Sequence, residues 1–207
     1  MKRIIYKIIV FTLLLALLAP SLAGCARESD EAFLLIAEEL LQKSATVNMI
    51  CFGKGLSGTD EEEGYRLSGY LEVSADERQA YAVETVEDIR ALAREVYTVA
   101  ACDQIETVIF APVQTESSYA SFRRYFDAAD GDVTHLMVKK DYTPLAVGEV
   151  TYQNLRISSH GRGRAEVLVD ITVTEGSQTR KDQDVCLSLR YEDGAWKYDT
   201  LTYASIR

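Results

Sequence analysis

Residues 164–174 read RAEVLVDITVT, and every second side chain from Ala165 to Val173 is apolar. Because successive side chains of a strand point to opposite sides, these apolar side chains share one face. Residues 184–198, DVCLSLRYEDGAWKY, show the same alternation on both sides of a turn at Gly194. The sequence therefore predicts an antiparallel sheet with one apolar face, and that face must be covered.

The alternation extends through the whole C-terminal half and predicts four strands, at residues 147–158, 164–174, 184–191 and 195–203. Trp196 and Tyr198 continue the apolar face, and the pattern changes phase near Asp199 and Thr200, as at a β-bulge. Ahead of these strands, residues 123–126 and 133–138 flank a turn and predict a hairpin.

Two amphipathic helices upstream are the predicted cover of the sheet. Apolar residues recur every three or four positions from Asp30 to Cys51, with Ser29 or Asp30 as the cap. The stretch Phe52-Gly53-Lys54-Gly55 ends this helix, since its glycines allow positive φ angles. The second helix follows a capping box and runs from Val86 to about Ala101.

The region between the helices and the hairpin is predicted from shorter patterns. Residues 65–73 and 78–83 predict two short strands, and residues 107–111 predict a buried extended piece or a helix end. The fold class is therefore α+β, with amphipathic helices packed on a curved antiparallel β-sheet. We expect one domain over residues 30–207, with a small helix-hairpin lobe at about residues 59–111.

The N-terminus reads as an export signal. Lys2, Arg3 and Lys7 precede the apolar run 8–19, which is much shorter than the roughly 20 residues of a spanning helix. The following Leu22-Ala23-Gly24-Cys25 resembles the lipobox of bacterial lipoproteins. That resemblance implies a signal peptide at residues 1–24, a lipid on Cys25, a tether at residues 25–29 and an extracytoplasmic, membrane-anchored location.

The charge of the mature chain narrows its partners. The signal holds three of the 22 basic residues and none of the 32 acidic ones, which leaves a net charge of −13. Such a surface repels nucleic acid and anionic headgroups, so apart from the lipid on Cys25 we expect no nucleic acid or membrane docking. A basic patch on another protein is a better partner, although an acidic balance also serves solubility.

The remaining thiols are Cys51, Cys102 and Cys186. Export permits disulfides, and Cys51 and Cys102 both lie near predicted helix ends, so they are the pair to consider. The alternative, buried free cysteine, is left open. Cys186 alternates with apolar neighbours and is expected on the outer face of its strand.

The order of elements, ending in the aromatic strand YEDGAWKYD (residues 191–199), resembles cystatin-like and nuclear-transport-factor-2-like half-barrels. The helix at residues 86–98, followed by the hairpin RYFDAADGDV (residues 124–133), is similar to bacterial inhibitors of cell-wall DL-endopeptidases of the IseA type. This second likeness spans residues 31–203 and implies a protein that regulates a cell-wall hydrolase.

Candidate catalytic and metal-binding residues are few. His135 lies in a predicted strand and His160 in a predicted turn, and neither is accompanied by a nucleophile elbow. Asp127, Asp130 and Asp132 do not match an EF-hand loop, since apolar residues stand at two ligand positions. We therefore expect no catalytic site, cofactor or metal.

A partner-contact segment is predicted between the helices, where acidic side chains adjoin aromatic ones. Its members are Asp60, Glu61, Glu62, Glu63, Tyr65 and Tyr70. Three functions remain open: a non-enzymatic envelope protein that regulates a cell-wall hydrolase, a half-barrel that binds a small molecule or glycan, and a hydrolase with unidentified carboxylates. A sizeable apolar cavity between sheet and helices favours the second.

Overall fold

The computed structural model describes residues 29–59, 64–113, 121–122, 124–145 and 148–203. The predicted signal peptide, Cys25 and the run from Asp60 to Glu63 lie outside these ranges. The helices are α1 Asp30–Cys51, α2 Ala75–Tyr81, α3 Val86–Val96 and α4 Val99–Ile105, with a π-helix at Glu106–Phe110. The strands are β1 Arg66–Leu67, β2 Tyr70–Glu72, β3 Pro112–Val113, β4 Ser121–Phe122, β5 Tyr125–Asp130, β6 Val133–Lys139, β7 Glu149–His160, β8 Arg164–Glu175, β9 Gln178–Glu192 and β10 Ala195–Tyr198.

The strands form two four-stranded antiparallel sheets, β1-β2-β6-β5 and β10-β9-β8-β7, and the pair β3-β4. Helix α1 packs against β7 and β10, and α3 contacts both β10 and β5, so α3 touches both sheets. The predicted α+β class, with helices on antiparallel sheet, is confirmed. The predicted 123–138 hairpin exists, but it pairs with β2 in its own sheet and not with the C-terminal strands.

The face predicted from the alternation in β8 is the buried one. Val167, Val169 and Val173 are fully buried, and Leu187 and Leu189 on β9 join them. Trp196 on β10 is 5% exposed and belongs to the same cluster. Cys186 lies on the outer face and is exposed, as expected.

Helix α1 is bounded by the residues that its sequence predicts. Ser29 is the N-cap, and its hydroxyl accepts a hydrogen bond from the N–H of Ala32 at 3.2 Å. At the other end, the N–H groups of Phe52 and Gly53 both donate to the carbonyl of Asn48. Phe33, Ala37, Leu40, Leu41, Val47 and Ile50 form the buried stripe toward the sheet and α3.

The predicted strand at residues 78–83 is wrong, because this segment belongs to helix α2. The hydroxyl of Ser74 caps α2 by accepting from the N–H of Glu77, and Ala82 ends it in the left-handed conformation at φ 52°. None of the helix's residues is fully buried, so its apolar spacing is too weak to reveal a helical period.

The helix predicted from Val86 to Ala101 is two helices. Tyr97 is extended and forms a bridge with Tyr198, so α3 ends at Val96. Thr98 then caps α4, accepting from the N–H of Ala101 at 3.3 Å. The π-helix after α4 settles residues 107–111 as a helix end.

Three strand boundaries differ from the predicted ones. Strand β9 begins at Gln178, six residues early, because the tip of the β8–β9 hairpin is polar on both faces. Strand β10 ends at Tyr198, where the predicted phase change marks the end of pairing. Strand β7 reaches His160, so this histidine is not in a turn. Within the described ranges, no helix combines the length and the hydropathy of a membrane span.

Candidate functional site

A cavity of about 630 Å³ lies between the C-terminal end of α1 and one end of the C-terminal sheet. We call it the α1–β7 cavity. Its walls are mostly apolar, and its volume falls within the range of pockets that bind small molecules. Its lining residues are Ala45, Asn48, Met49, Gly53, Lys54, Pro144, Gly148, Glu149, Val150, Tyr152, Glu175 and Tyr203.

The helix side of the cavity is held in place by a buried arginine. Arg124, 1% exposed, donates from its two terminal nitrogens to the carbonyls of Cys51 and Gly53, each at 2.8 Å. Its guanidinium also lies over the ring of Tyr142, 4.2 Å from the centroid. Gly55, at φ 79°, leaves room for this group, since a Cβ there would overlap the guanidinium. Arg124 therefore fixes the turn that carries Lys54.

The sheet side of the cavity is formed where β7 begins and β8 ends. Val150 and Tyr152 project from β7, and Glu149 lies opposite Thr174 on β8. Gly148 comes immediately before β7 at φ 92°, and a Cβ there would stand 2.6 Å from the carbonyl oxygen of Thr174. This close approach requires glycine, and it leaves the end of the cavity open.

A buried hydrogen-bond network fixes the two neutral polar side chains of the wall. Asn48 accepts from the hydroxyl of Tyr97 at 2.8 Å and donates to that of Thr202 at 2.9 Å. The hydroxyl of Tyr152 donates to the carbonyl of Thr202 at 2.6 Å, and the Thr202 hydroxyl donates to Ser44 at 2.7 Å. Burial raises the pKa of both tyrosines above the ordinary value, so they remain neutral. The wall is therefore rigid and uncharged here.

Three charged side chains stand around the cavity: Lys54 on the helix side, and Glu149 and Glu175 on the sheet side. All three are exposed. Among the residues that the structure describes, none of the three takes part in an ion pair within 4.0 Å. The cavity thus combines apolar walls with unpaired charges of both signs.

A second cavity, about 420 Å³, lies between α3, α4 and the π-helix. Its charged residues neutralise one another, since Arg90 makes a two-pronged contact with Glu106 at 2.6 and 2.7 Å and Arg94 pairs with Glu87. Burial raises the pKa of the Cys102 thiol in its wall, which disfavours the nucleophilic thiolate. This site therefore has neither free charge nor an activated nucleophile.

The two histidines lie in separate sheets. Nδ1 of His135 is 3.1 Å from Oε1 of Glu72, and its ring stacks on Tyr65 at 4.4 Å. The side chain of His160 is 1% exposed, stacks on Phe33 and has its Nδ1 3.0 Å from Oδ1 of Asp30. Neither histidine lines the α1–β7 cavity. The expectation of a turn histidine at His160 is wrong, because this ring is part of the core.

Other predicted site residues are dispersed. Tyr65 is half-buried, but Tyr70 is 7% exposed and packs edge-on against Phe126, so its ring is not an exposed anchor. This burial follows from the position of Tyr70 in β2, which puts its side chain in a small cluster with Met137. Cys51 and Cys102 are free thiols, which answers the disulfide question in favour of unpaired cysteine.

Metal binding has no support in the part of the chain that the structure describes, where no three His, Cys, Asp or Glu side chains converge. Asp127, one of the aspartates considered for calcium, accepts a hydrogen bond from the N–H of Val86 at 2.9 Å and so supports the start of α3. Comparison with protein-family models and with curated proteins gives no match. The function must therefore be argued from the site itself.

The cavity residues were missed in the sequence, although two signals were present. Ser44 and Asn48 are polar residues four apart on the buried stripe of α1, and an uncompensated polar pair in such a stripe indicates a buried network. Glu175 follows the last apolar residue, Val173, at the spacing of the next core position on β8. Lys54 was interpreted only as part of a helix stop.

Proposed function

We propose that this chain is a lipid-anchored extracytoplasmic envelope protein that binds a small ligand in the α1–β7 cavity. The carrying observation is the cavity itself: about 630 Å³, predominantly apolar, with Asn48 and Tyr152 fixed in its wall. Small-molecule sites typically combine an apolar body with a few oriented polar groups. The likeness to half-barrels supports the same function.

The anchor and the cavity lie at opposite ends of α1. The lipobox cysteine, Cys25, stands five residues before Asp30, and the cavity begins near Asn48. At 1.5 Å per residue, the helix separates Asp30 from Asn48 by about 27 Å. A ligand is therefore taken from the aqueous envelope space and not from the bilayer.

The test uses one apolar body in four charge states: leucyl-leucine, its C-terminal amide, its N-acetyl form and the form with both caps. A ligand present at 100 times its Kd stabilises the folded protein by about 2.7 kcal/mol. For a domain of this size that raises the melting temperature by roughly 5–10 °C. Circular dichroism of the purified lipoprotein in a fixed detergent buffer measures the shift.

A matched pair of variants locates the binding. Ala45→Phe places a large side chain in the cavity from an exposed helix position, and Gln42→Phe makes the same change on α1 outside the lining. We expect at least one of the four compounds to stabilise the wild type and Gln42→Phe but not Ala45→Phe. The proposal fails when no compound gives a shift that depends on residue 45.

A second candidate is regulation of an envelope partner such as a cell-wall hydrolase. The observation that favours it is Tyr65, whose ring is pre-positioned on His135 beside the acidic run Asp60 to Glu63. Opposite charges accelerate association, and salt screens that effect. Replacing the four acids by Asn and Gln should slow capture of a basic partner and flatten its salt dependence; an unchanged on-rate and salt slope would remove this segment from the mechanism.

A further inference from the structure

The charges around the α1–β7 cavity are arranged by wall. Lys54 follows α1, in a turn held by Arg124, whereas Glu149 begins β7 and Glu175 ends the neighbouring strand β8. A molecule that spans from the helix side to the sheet side therefore meets a cation at one end and carboxylates at the other. Between them lie the apolar side chains of the lining, including Met49 and Val150.

These three charged groups also lack partners of their own. Lys54, Glu149 and Glu175 border one cavity, yet within the described part of the chain they form no ion pair with each other or with a neighbour. Other exposed charges of this protein do pair, for example Lys43 with Glu39 at 2.8 Å. Unsatisfied charges of both signs at one apolar cavity fit a ligand that carries both complementary charges.

We infer that the α1–β7 cavity takes a zwitterionic ligand with an apolar body, namely a short hydrophobic peptide with free termini. Lys54 binds the carboxylate and Glu149 and Glu175 bind the ammonium group, while the amide of Asn48 and the hydroxyl of Tyr152 lie within the wall beside the peptide body. Liquid water would fill this volume with about 20 molecules, which is room for a dipeptide with two apolar side chains. The inference rests on the proposed function and adds the ligand class.

The two carboxylates outnumber the single lysine, so the order of affinities is also specified. The zwitterion should bind tightest, the C-terminal amide next, and the N-acetyl anion weakest, since the anion loses its ammonium contacts and faces both glutamates. Each exposed charge contact should change affinity by about three- to tenfold.

Isothermal titration of leucyl-leucine and its three capped forms into the purified lipoprotein tests the assignment. In Lys54→Gln the zwitterion and its C-terminal amide should bind equally, and in the double variant Glu149→Gln, Glu175→Gln the zwitterion and its N-acetyl form should bind equally. Lys181→Gln and Glu38→Gln, which change exposed charges outside the lining, should retain the wild-type order.

The outcomes separate this inference from the proposed function. Equal affinity for all four forms, or tightest binding of the doubly capped form, overturns the zwitterion assignment while residue-45 dependence keeps the cavity as the site. Loss of residue-45 dependence overturns both. A zwitterion preference that persists in Lys54→Gln and in the double glutamate variant also overturns the assignment, because the charges would then be recognised elsewhere.

Discussion

Arg124 should stabilise the protein chiefly by holding the end of α1, and its replacement gives a sharp test of that role. In Arg124→Met the carbonyls of Cys51 and Gly53 lose their charged donor in a site where the arginine is 1% exposed. The neighbouring Tyr125 still donates to the carbonyl of Ile50 at 2.9 Å, so the helix keeps one tie to β5.

The size of the effect follows from these contacts. Hydrogen bonds from a charged donor contribute about 1.5–3 kcal/mol each, and the two lost here are partly offset because methionine avoids the desolvation of a buried charge. We expect a net loss of about 3 kcal/mol. At roughly 2–4 °C per kcal/mol for a domain of this size, the melting temperature should fall by about 6–12 °C.

Thermal unfolding followed by circular dichroism measures this loss, with Arg162→Met as the control at an exposed position of the same residue type. Arg124→Lys keeps the charge but not the two-pronged geometry, so it should fall between the two. A melting temperature for Arg124→Met within about 2 °C of the Arg162→Met value would refute the reasoning, since two orphaned carbonyls would then have cost almost nothing.

Three further predictions address the core, the pH dependence and the anchor. Trp196→Ala should cost about 3–5 kcal/mol in urea unfolding, because the ring is 5% exposed; an unchanged midpoint would contradict its core position. Partial burial alone would raise the pKa of Glu72, but the N–H of Tyr65, His135 and Arg78 lower it overall, so Glu72 adds stability above its ordinary value of 4.5 that is lost as pH falls through its lower folded pKa. Glu72→Gln should therefore show a shallower acid loss in pH-dependent melts, and a curve parallel to the wild type would exclude this linkage. Cys25→Ser should leave an uncleaved or released protein in cell fractionation, whereas mass spectrometry of unmodified Cys25 in membrane-bound wild type would end the lipoprotein hypothesis.

The fold was predictable wherever burial imposes a period. Alternation in β8 and β9 identified the core face because one side of each strand is covered, and the stripe of α1 gave that helix to the residue. Prediction failed where neither face is covered, as at the polar start of β9. It also failed where a long-range contact decides the structure, as at Tyr97, which leaves the helix to pair with Tyr198.

The candidate site was less predictable because its residues come from four separate places in the chain. Lys54, Glu149 and Glu175 meet only through the packing of α1 on the sheet, and none belongs to a local motif. Asn48 showed a signal, since it interrupts an apolar stripe, but its partner Thr202 lies 154 residues away. A single sequence carries no pattern at that separation.

The central claim is that the α1–β7 cavity binds a ligand, and a crystal structure of the protein grown with leucyl-leucine tests it most directly. The account predicts continuous difference density between Asn48 and Tyr152, with one end near Lys54 and the other near Glu175. Density for ordered water alone in the cavity, at a peptide concentration that raises the melting temperature in solution, would contradict it.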